Sequence, residues 1–204
     1  MTRVIIIRHG ESLANAERIY LGHTDWDLSE RGRAQAEAVA EHLGGENIDA
    51  IYSSDLKRAY NTALPHARRR GMGIITSREL REIYLGDWEC MKIDELEARW
   101  PEEFGVGWRL NFGTCRVPGG ESTWDAGERL RREVLKIAKE NDGKTVLIAS
   151  HAAAIRAFWG NISGIAPCEL GERVPFPKNA SCTTVHYDGG KLIPICYGDD
   201  SYFE

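Results

Sequence analysis

The sequence predicts an α/β fold of three layers, a mostly parallel central sheet with helices on both faces. Three observations lead there. Val4-Ile5-Ile6-Ile7 is a run of branched apolar residues, the pattern of a short strand buried on both sides. Thr145–Ser150 repeats that pattern far along the chain. Around and between the two, strand patterns alternate with helical ones, the order that gives parallel pairing with helical crossovers. A length of 204 residues suits one sizeable domain. No linker, internal repeat or low-complexity tract divides it, so a single domain over residues 1–204 is expected.

The elements follow in order. The first strand ends in Arg8-His9-Gly10, where glycine marks a turn or the close approach of another group. Residues 20–28 are polar and turn-rich. Ser29 is an N-cap, with Glu30 in the first turn, for a helix over 30–43 that Gly44-Gly45 stops. Ala50–Ser53 is a short strand. Ser54 and Asp55 offer caps for a helix from Leu56 to Arg70, ended by Gly71, and Gly73–Thr76 is a third strand. Residues 77–120 read as a cap-like insertion over the strand ends. It holds a short helix, Asp94–Trp100, stopped by Pro101, within an irregular stretch rich in aromatics (Trp88, Trp100, Trp108, Phe112). Ser122 starts a long helix to about Asn141; the strand Thr145–Ser150 and a helix Ala154–Ile162 follow. Residues 164–178, with three prolines, read as a loop. Ser181–Tyr187 and Lys191–Cys196 flank Asp188-Gly189-Gly190, a hairpin signal that adds an antiparallel element.

Composition narrows the class. The net charge of −5 argues against a nucleic-acid partner. It still allows an anionic ligand where arginines concentrate in a cleft. The five cysteines, at 90, 115, 168, 182 and 196, are odd in number and unpaired in spacing, which fits reduced thiols and not a disulfide framework. No apolar run approaches the ~18 residues of a membrane span. The chain opens on a strand pattern with no charged leader or apolar h-region, so a cytoplasmic protein without a membrane partner is expected. There is no His-Glu-x-x-His run, no P-loop and no Gly-x-Gly-x-x-Gly, so neither a metal nor a cofactor is expected.

The two apolar strands each end in a histidine, His9 and His151, 142 positions apart. In open α/β sheets ligands bind beyond the carboxyl ends of the strands. Folding would therefore bring both imidazoles to one edge, beside Arg8.

With these residues in view the chain resembles the histidine phosphatases of the phosphoglycerate mutase-like fold. The likeness is carried by Arg8-His9-Gly10-Glu11-Ser12 with Asn15, and by Ser53-Ser54-Asp55-Leu56-Lys57-Arg58-Ala59 with Thr62. It continues in Leu80-Arg81-Glu82 ahead of Gly86-Asp87-Trp88-Glu89, in Gly119-Gly120-Glu121-Ser122 and in Ser150-His151. Arg-His-Gly alone would be a weak signal; the ordered set, spanning about three quarters of the chain, is a specific one.

The resemblance implies roles. His9 is the expected nucleophile, since an imidazole with one N–H held can attack phosphorus through its other nitrogen. Arg8 and Arg58 are the expected phosphate clamp, their guanidinium forks matching phosphate oxygens. His151 would stabilise the transferring group. Glu82 would act as general acid and base, partly buried among Ile83, Tyr84 and Trp88, with Glu89 its main rival and Asp87 and Glu79 behind it. Asn15, Gly22 and the backbone at Ala152 would line the phosphate pocket, and His23 lies where the family's substrate-facing loop runs. Each has an ordinary reading: Arg58 as a solvated helix residue, the histidines as strand ends, Asn15 as a cap. Arg68-Arg69-Arg70, His42 and His66 are read as helix surface.

Two departures bear on the reaction. Ala152 and Ala153 stand where relatives usually carry glycine, so their methyl groups could narrow the pocket or oppose a positive φ. Mutase members typically have Gly-His-Gly-Asn-Ser at the second histidine and Asn-Glu-Arg-His-Tyr-Gly at the acid, unlike Ser150-His151-Ala152-Ala153 and Leu80-Arg81-Glu82-Ile83-Tyr84 here. The expectation is a metal-independent phosphomonoesterase acting on a small phosphorylated metabolite through a phosphohistidine. A 2,3-bisphosphoglycerate-dependent mutase is the alternative, and a non-catalytic phospho-ligand binder the alternative of another class. The oligomeric state stays open, a homodimer included.

Overall fold

The computed structural model describes residues 1–203. In chain order its elements are β1 (Thr2–Arg8), α1 (Leu13–Ala16), α2 (Glu30–His42), β2 (Ala50–Ser54), α3 (Lys57–Arg70), β3 (Ile75–Ser77), α4 (Ile93–Arg99), α5 (Thr123–Glu140), β4 (Thr145–Ser150), α6 (Ala152–Ile162), α7 (Leu170–Arg173), β5 (Cys182–Asp188) and β6 (Lys191–Asp199). Six strands form one sheet in the order β3-β2-β4-β1-β5-β6. The first four are parallel; β5 runs antiparallel to β1, and β6 to β5. The expected α/β class, with its antiparallel terminal hairpin, is what the chain adopts.

β1 lies at the centre because it has no polar face to offer water. Val4 and Ile6 pack on one side with Val146, Ile148 and the α5 and α6 residues Leu130, Val134 and Phe158. Ile5 and Ile7 pack on the other with Leu147, Ala149 and the α2 and α3 residues Val39 and Ala63. Cutting any such branched residue back to alanine costs roughly 2–5 kcal/mol. Among the described residues no helix is long and apolar enough to cross a membrane.

Ser29 and Ser122 cap α2 and α5 as expected, their hydroxyls accepting from Gly32 N–H and Asp125 N–H, both at 3.0 Å. α3 differs. Its N-cap is Leu56, and Asp55 instead accepts both ends of the Arg81 guanidinium at 2.6 Å. β3 begins at Ile75, two residues later than the apolar pattern implies. Pro101 ends α4 without ending the winding: residues 101–108 form a π-helix with proline in its first turn, where a missing N–H costs nothing. The proline-rich loop contains a 3₁₀ turn, Pro167–Glu169, and α7.

His66 is not on the surface. It is fully buried, on the stripe that Ala59, Thr62, Ala63 and Ala67 share at helical spacing. His42 is exposed and stacks on Tyr202, ring centroids 4.2 Å apart. The aromatic stretch makes a second core. Trp88 meets Phe104 edge-on at 5.4 Å and Trp108 meets Phe112 at 4.9 Å, and the cluster rests on Ala153 and Ala157 of α6.

Candidate active site

Register brings the two histidines together. β1 and β4 are parallel neighbours with Arg8 opposite Ser150, and the His9 N–H donates to Ser150 O at 3.0 Å. The next residues, His9 and His151, therefore leave the sheet side by side, ring centroids 5.1 Å apart. The His9 Nδ1–H donates to Gly10 O at 2.6 Å, which leaves Nε2 as the free lone pair. Gly10 is there for a close backbone approach: a Cβ on it would sit 2.4 Å from Gly32 O at the start of α2. Its N–H donates to Thr62 Oγ1 at 3.0 Å, and Asn179 Nδ2 holds His9 O at 3.1 Å.

β2 ends next to β4, so α3 starts at the same edge and delivers Arg58, which is 1% exposed. Its guanidinium donates to Gly22 O at 2.7 Å and Thr24 O at 3.0 Å. Arg8 donates to Pro177 O at 2.5 Å, and its buried Nε–H has no acceptor. His151 is fully buried, with neither ring nitrogen paired.

Glu82 enters from the far side of the sheet, after the 3₁₀ turn that follows β3. The segment is pinned at Leu80 O by the Ser150 hydroxyl at 2.9 Å. Arg129 of α5 donates to Glu79 O, Arg81 O and Glu82 O at 2.8–3.0 Å. The carboxylate accepts three backbone N–H groups, from Ile83 at 3.0 Å, Ala153 at 3.2 Å and Ala154 at 3.0 Å. The last two belong to the first turn of α6, where unpaired N–H groups favour an anion. Tyr84, expected around this carboxyl, is 43% exposed, and backbone donors take its place. The rival Glu89 holds the 22–24 loop, accepting from the N–H groups of Gly22, His23 and Thr24.

The electrostatics are lopsided. Burial, then the cationic Arg58 and Arg8, hold the His9 imidazole well below its usual range, and burial with Arg58 and His9 does the same to His151. Burial lowers Arg8 to about 10 against the pull of Glu82, and Arg58 shifts the same way for the same first reason. Groups that would share positive charge are crowded and desolvated, and Glu82 is the acid that opposes this most at both arginines.

These groups open on a pocket of about 340 Å³. Arg8, His9, Asn15, Arg58, Glu82 and Ala152 all line it. His151 lies beneath the wall, against the His9 ring. Gly22 does not reach the pocket. Its N–H is donated to Glu89, its carbonyl faces Arg58, and a Cβ on it would lie 2.5 Å from Ile83 O. Asn15 fills both of its readings, lining the pocket while its side chain closes the capping box with Ser12. Ala152 and Ala153 take helical positions at the start of α6, and neither has a positive φ, so the feared backbone conflict does not arise. His23 turns its Nε2 to Glu82 O at 2.9 Å and its ring to Tyr84.

Sequence reasoning missed Arg129 and Asn179. An arginine within an amphipathic helix carries no mark of a backbone-gripping role. Asn179 follows a proline-rich loop whose path the pattern leaves open.

A family model described as histidine phosphatase superfamily (branch 1) matches residues 4–200. Phosphoserine phosphatase 1 of Hydrogenobacter thermophilus is 34% identical over 210 residues, covering 100% of this chain and 98% of the relative. Phosphoglycerate mutase-like protein 4 of Arabidopsis thaliana is 33% identical, covering 98% of this chain and 86% of the relative. Among solved structures, Bacillus stearothermophilus YhfR superposes with a TM-score of 0.93 at 31% identity over the whole of both chains. A mycobacterial glucosyl-3-phosphoglycerate phosphatase gives 0.88 at 29% identity, covering 97% of this chain and 99% of that one. On its sequence, its fold and its paired strand-end histidines, the chain belongs to the histidine phosphatase superfamily.

Proposed function

We propose that the chain hydrolyses a small phosphorylated metabolite, a phosphate monoester, through a phosphohistidine on His9. One observation carries the reading. His9 has Nδ1 tied back and Nε2 free, and the neighbouring Arg8 Nε and the ring nitrogens of His151, whose ring lies beside that of His9, have no partner among the described residues. A phosphoryl group satisfies those donors and supplies the negative charge the buried cluster lacks. Relatives named for phosphoserine and for glucosyl-3-phosphoglycerate support a small-metabolite substrate.

In the first step His9 Nε2 attacks phosphorus in line, the N–P bond forms and the P–O bond to the leaving group breaks. Arg8 and Arg58 hold the non-bridging oxygens, where phosphoryl transfer needs its charge stabilised. The single N–H of neutral His151 finds a phosphoryl oxygen. Glu82, a carboxylate in the free site, takes up a proton from solvent with the substrate, delivers it to the departing alkoxide and is carboxylate again. In the second step that carboxylate takes a proton from water, whose oxygen attacks phosphorus, and the N–P bond breaks to free phosphate and His9. The three N–H groups on Glu82 fix its oxygens for both transfers. A cytoplasmic setting goes with five free thiols.

The test is phosphate release from a panel of small phosphomonoesters with chelator present, for wild type beside His9→Ala. 3-Phosphoglycerate with a trace of the bisphosphate belongs in the panel. Release by wild type alone is the expected result. Isomerisation without release would move the chain to the mutase reading, which relatives with mutase-like names keep in play.

A further inference from the structure

The pocket is lined by three arginines, and only two belong to the phosphate end. Arg8 and Arg58 are held by backbone carbonyls beside His9. The third, Arg18, is exposed, and its guanidinium makes no hydrogen bond, ion pair or ring contact among the described residues. Its backbone is also unusual. With φ at 57° it occupies the left-handed region that favours glycine, and few other non-glycine residues here do so. The conformation is imposed from both sides: Arg18 N–H donates to Asn15 O at 3.2 Å and Ile19 N–H to Ala14 O at 2.8 Å, closing the turn after α1. A long charged side chain thus stands where glycine would cost less, and it lines the pocket without a partner among the described residues. The same pocket has an apolar share of wall: Ile19 and Leu21 on Arg18's own segment, Ile93, Trp108 and Phe176 on others.

We propose that Arg18 is a specificity-determining residue that binds a carboxylate on the substrate, apart from the two arginines that meet the phosphate; this rests on the phosphomonoesterase reading. The charges match. A phosphate monoester near neutral pH carries close to two negative charges and meets two arginines. One further arginine answers one further negative charge, and a guanidinium fork fits a carboxylate bidentately. The substrate class is then a carboxylated phosphomonoester whose carbon body lies on the apolar wall.

The test separates binding from turnover by using phosphonates, whose C–P bond is not hydrolysed. Two matched pairs are titrated calorimetrically: 4-carboxybenzylphosphonate against benzylphosphonate, and 4-phosphonobutanoate against butylphosphonate. Wild type should prefer the carboxylated member of at least one pair by about tenfold, as a charge-assisted hydrogen bond at a part-exposed site gives. Arg18→Gln and Arg18→Gly should each erase that preference, and Arg18→Lys should keep part of it. Glycine suits the left-handed backbone, so the second variant remains informative if the first is poorly folded. Equal affinities within both pairs in wild type, an unchanged preference in the variants, or no binding of any phosphonate would overturn the proposal. Phosphate release from the corresponding esters is followed in parallel. Carboxylate-dependent binding without release would overturn the hydrolase reading and leave the Arg18 subsite standing.

Discussion

The Glu82 carboxylate accepts the N–H of Ala154 at 3.0 Å, a contact spanning 72 positions that ties the acid to the helix launched by the second histidine. Ala153 repeats it at 3.2 Å. Residues that end two different segments are thereby fixed relative to each other by the backbone of α6, independently of bound substrate.

A first prediction follows for Glu82→Gln. The isosteric amide still fills the space but cannot give or take the proton, so kcat for alkyl phosphates should fall by about 10²–10⁴. Aryl phosphates with good leaving groups need less help in the first step and should lose less. An equal loss on both kinds of substrate would remove Glu82 from the leaving-group role.

Arg129 acts on the same residue from outside the pocket, holding the carbonyls of Glu79, Arg81 and Glu82 and pairing with Glu121 at 2.8 Å. Arg129→Met should lower kcat with the leaving-group pattern of Glu82→Gln, and leave KM for a common substrate near the wild-type value. Steady-state kinetics on an alkyl and an aryl ester would show it. A rise in KM alone would place Arg129 elsewhere in the account.

Gly22→Ala probes the scaffold behind Arg58. The added Cβ would meet backbone at 2.5 Å on one side and Glu89 on the other, so the 22–24 loop must shift and take with it the carbonyls that hold the guanidinium. Weakened phosphate affinity should accompany a loss of thermal stability of a few °C. Unchanged inhibition by inorganic phosphate would contradict this.

Acid should destabilise the fold through its buried histidines. An unfolded histidine titrates near 6.5, whereas burial and the neighbouring Arg70 and Arg69 lower His66 to about 3. Between those values the unfolded chain binds one more proton than the folded one. The stability contributed by neutral His66 is therefore complete above pH 6.5 and lost as pH falls towards 3, at up to about 1.4 kcal/mol per pH unit. His9 and His151 act in the same direction. Urea midpoints at pH 7, 5.5 and 4 should fall less steeply for His66→Leu than for wild type; parallel slopes would contradict the assignment.

Legibility in the sequence followed the physics of each region. The central strands were readable because runs such as Val4–Ile7 have only one low-energy place, inside a sheet. The pairing of His9 with His151 was readable because both follow such runs directly. His66 was misread although its stripe, from Ala59 to Ala67, was present: a polar residue in the apolar series was assigned to solvent, and helix packing prevailed. Pro101 does stop α4, and the π-helix that begins on it escapes the pattern because proline at the start of a helical segment is permissive. Gly22 is assigned to the phosphate pocket by the resemblance alone, and the direction of its N–H, which goes to Glu89, is not encoded in the local pattern. The contacts of Arg129 and Asn179 depend on the path of distant loops, which local pattern does not encode.

The central claim is the covalent intermediate on His9, and acid-free trapping with a ³²P-labelled substrate tests it most directly. Wild type quenched during turnover should carry label on a peptide containing His9, stable to alkali and lost in acid, and His9→Ala should carry none. Turnover by wild type with no trapped label at any time, or label that persists in His9→Ala, would contradict the account.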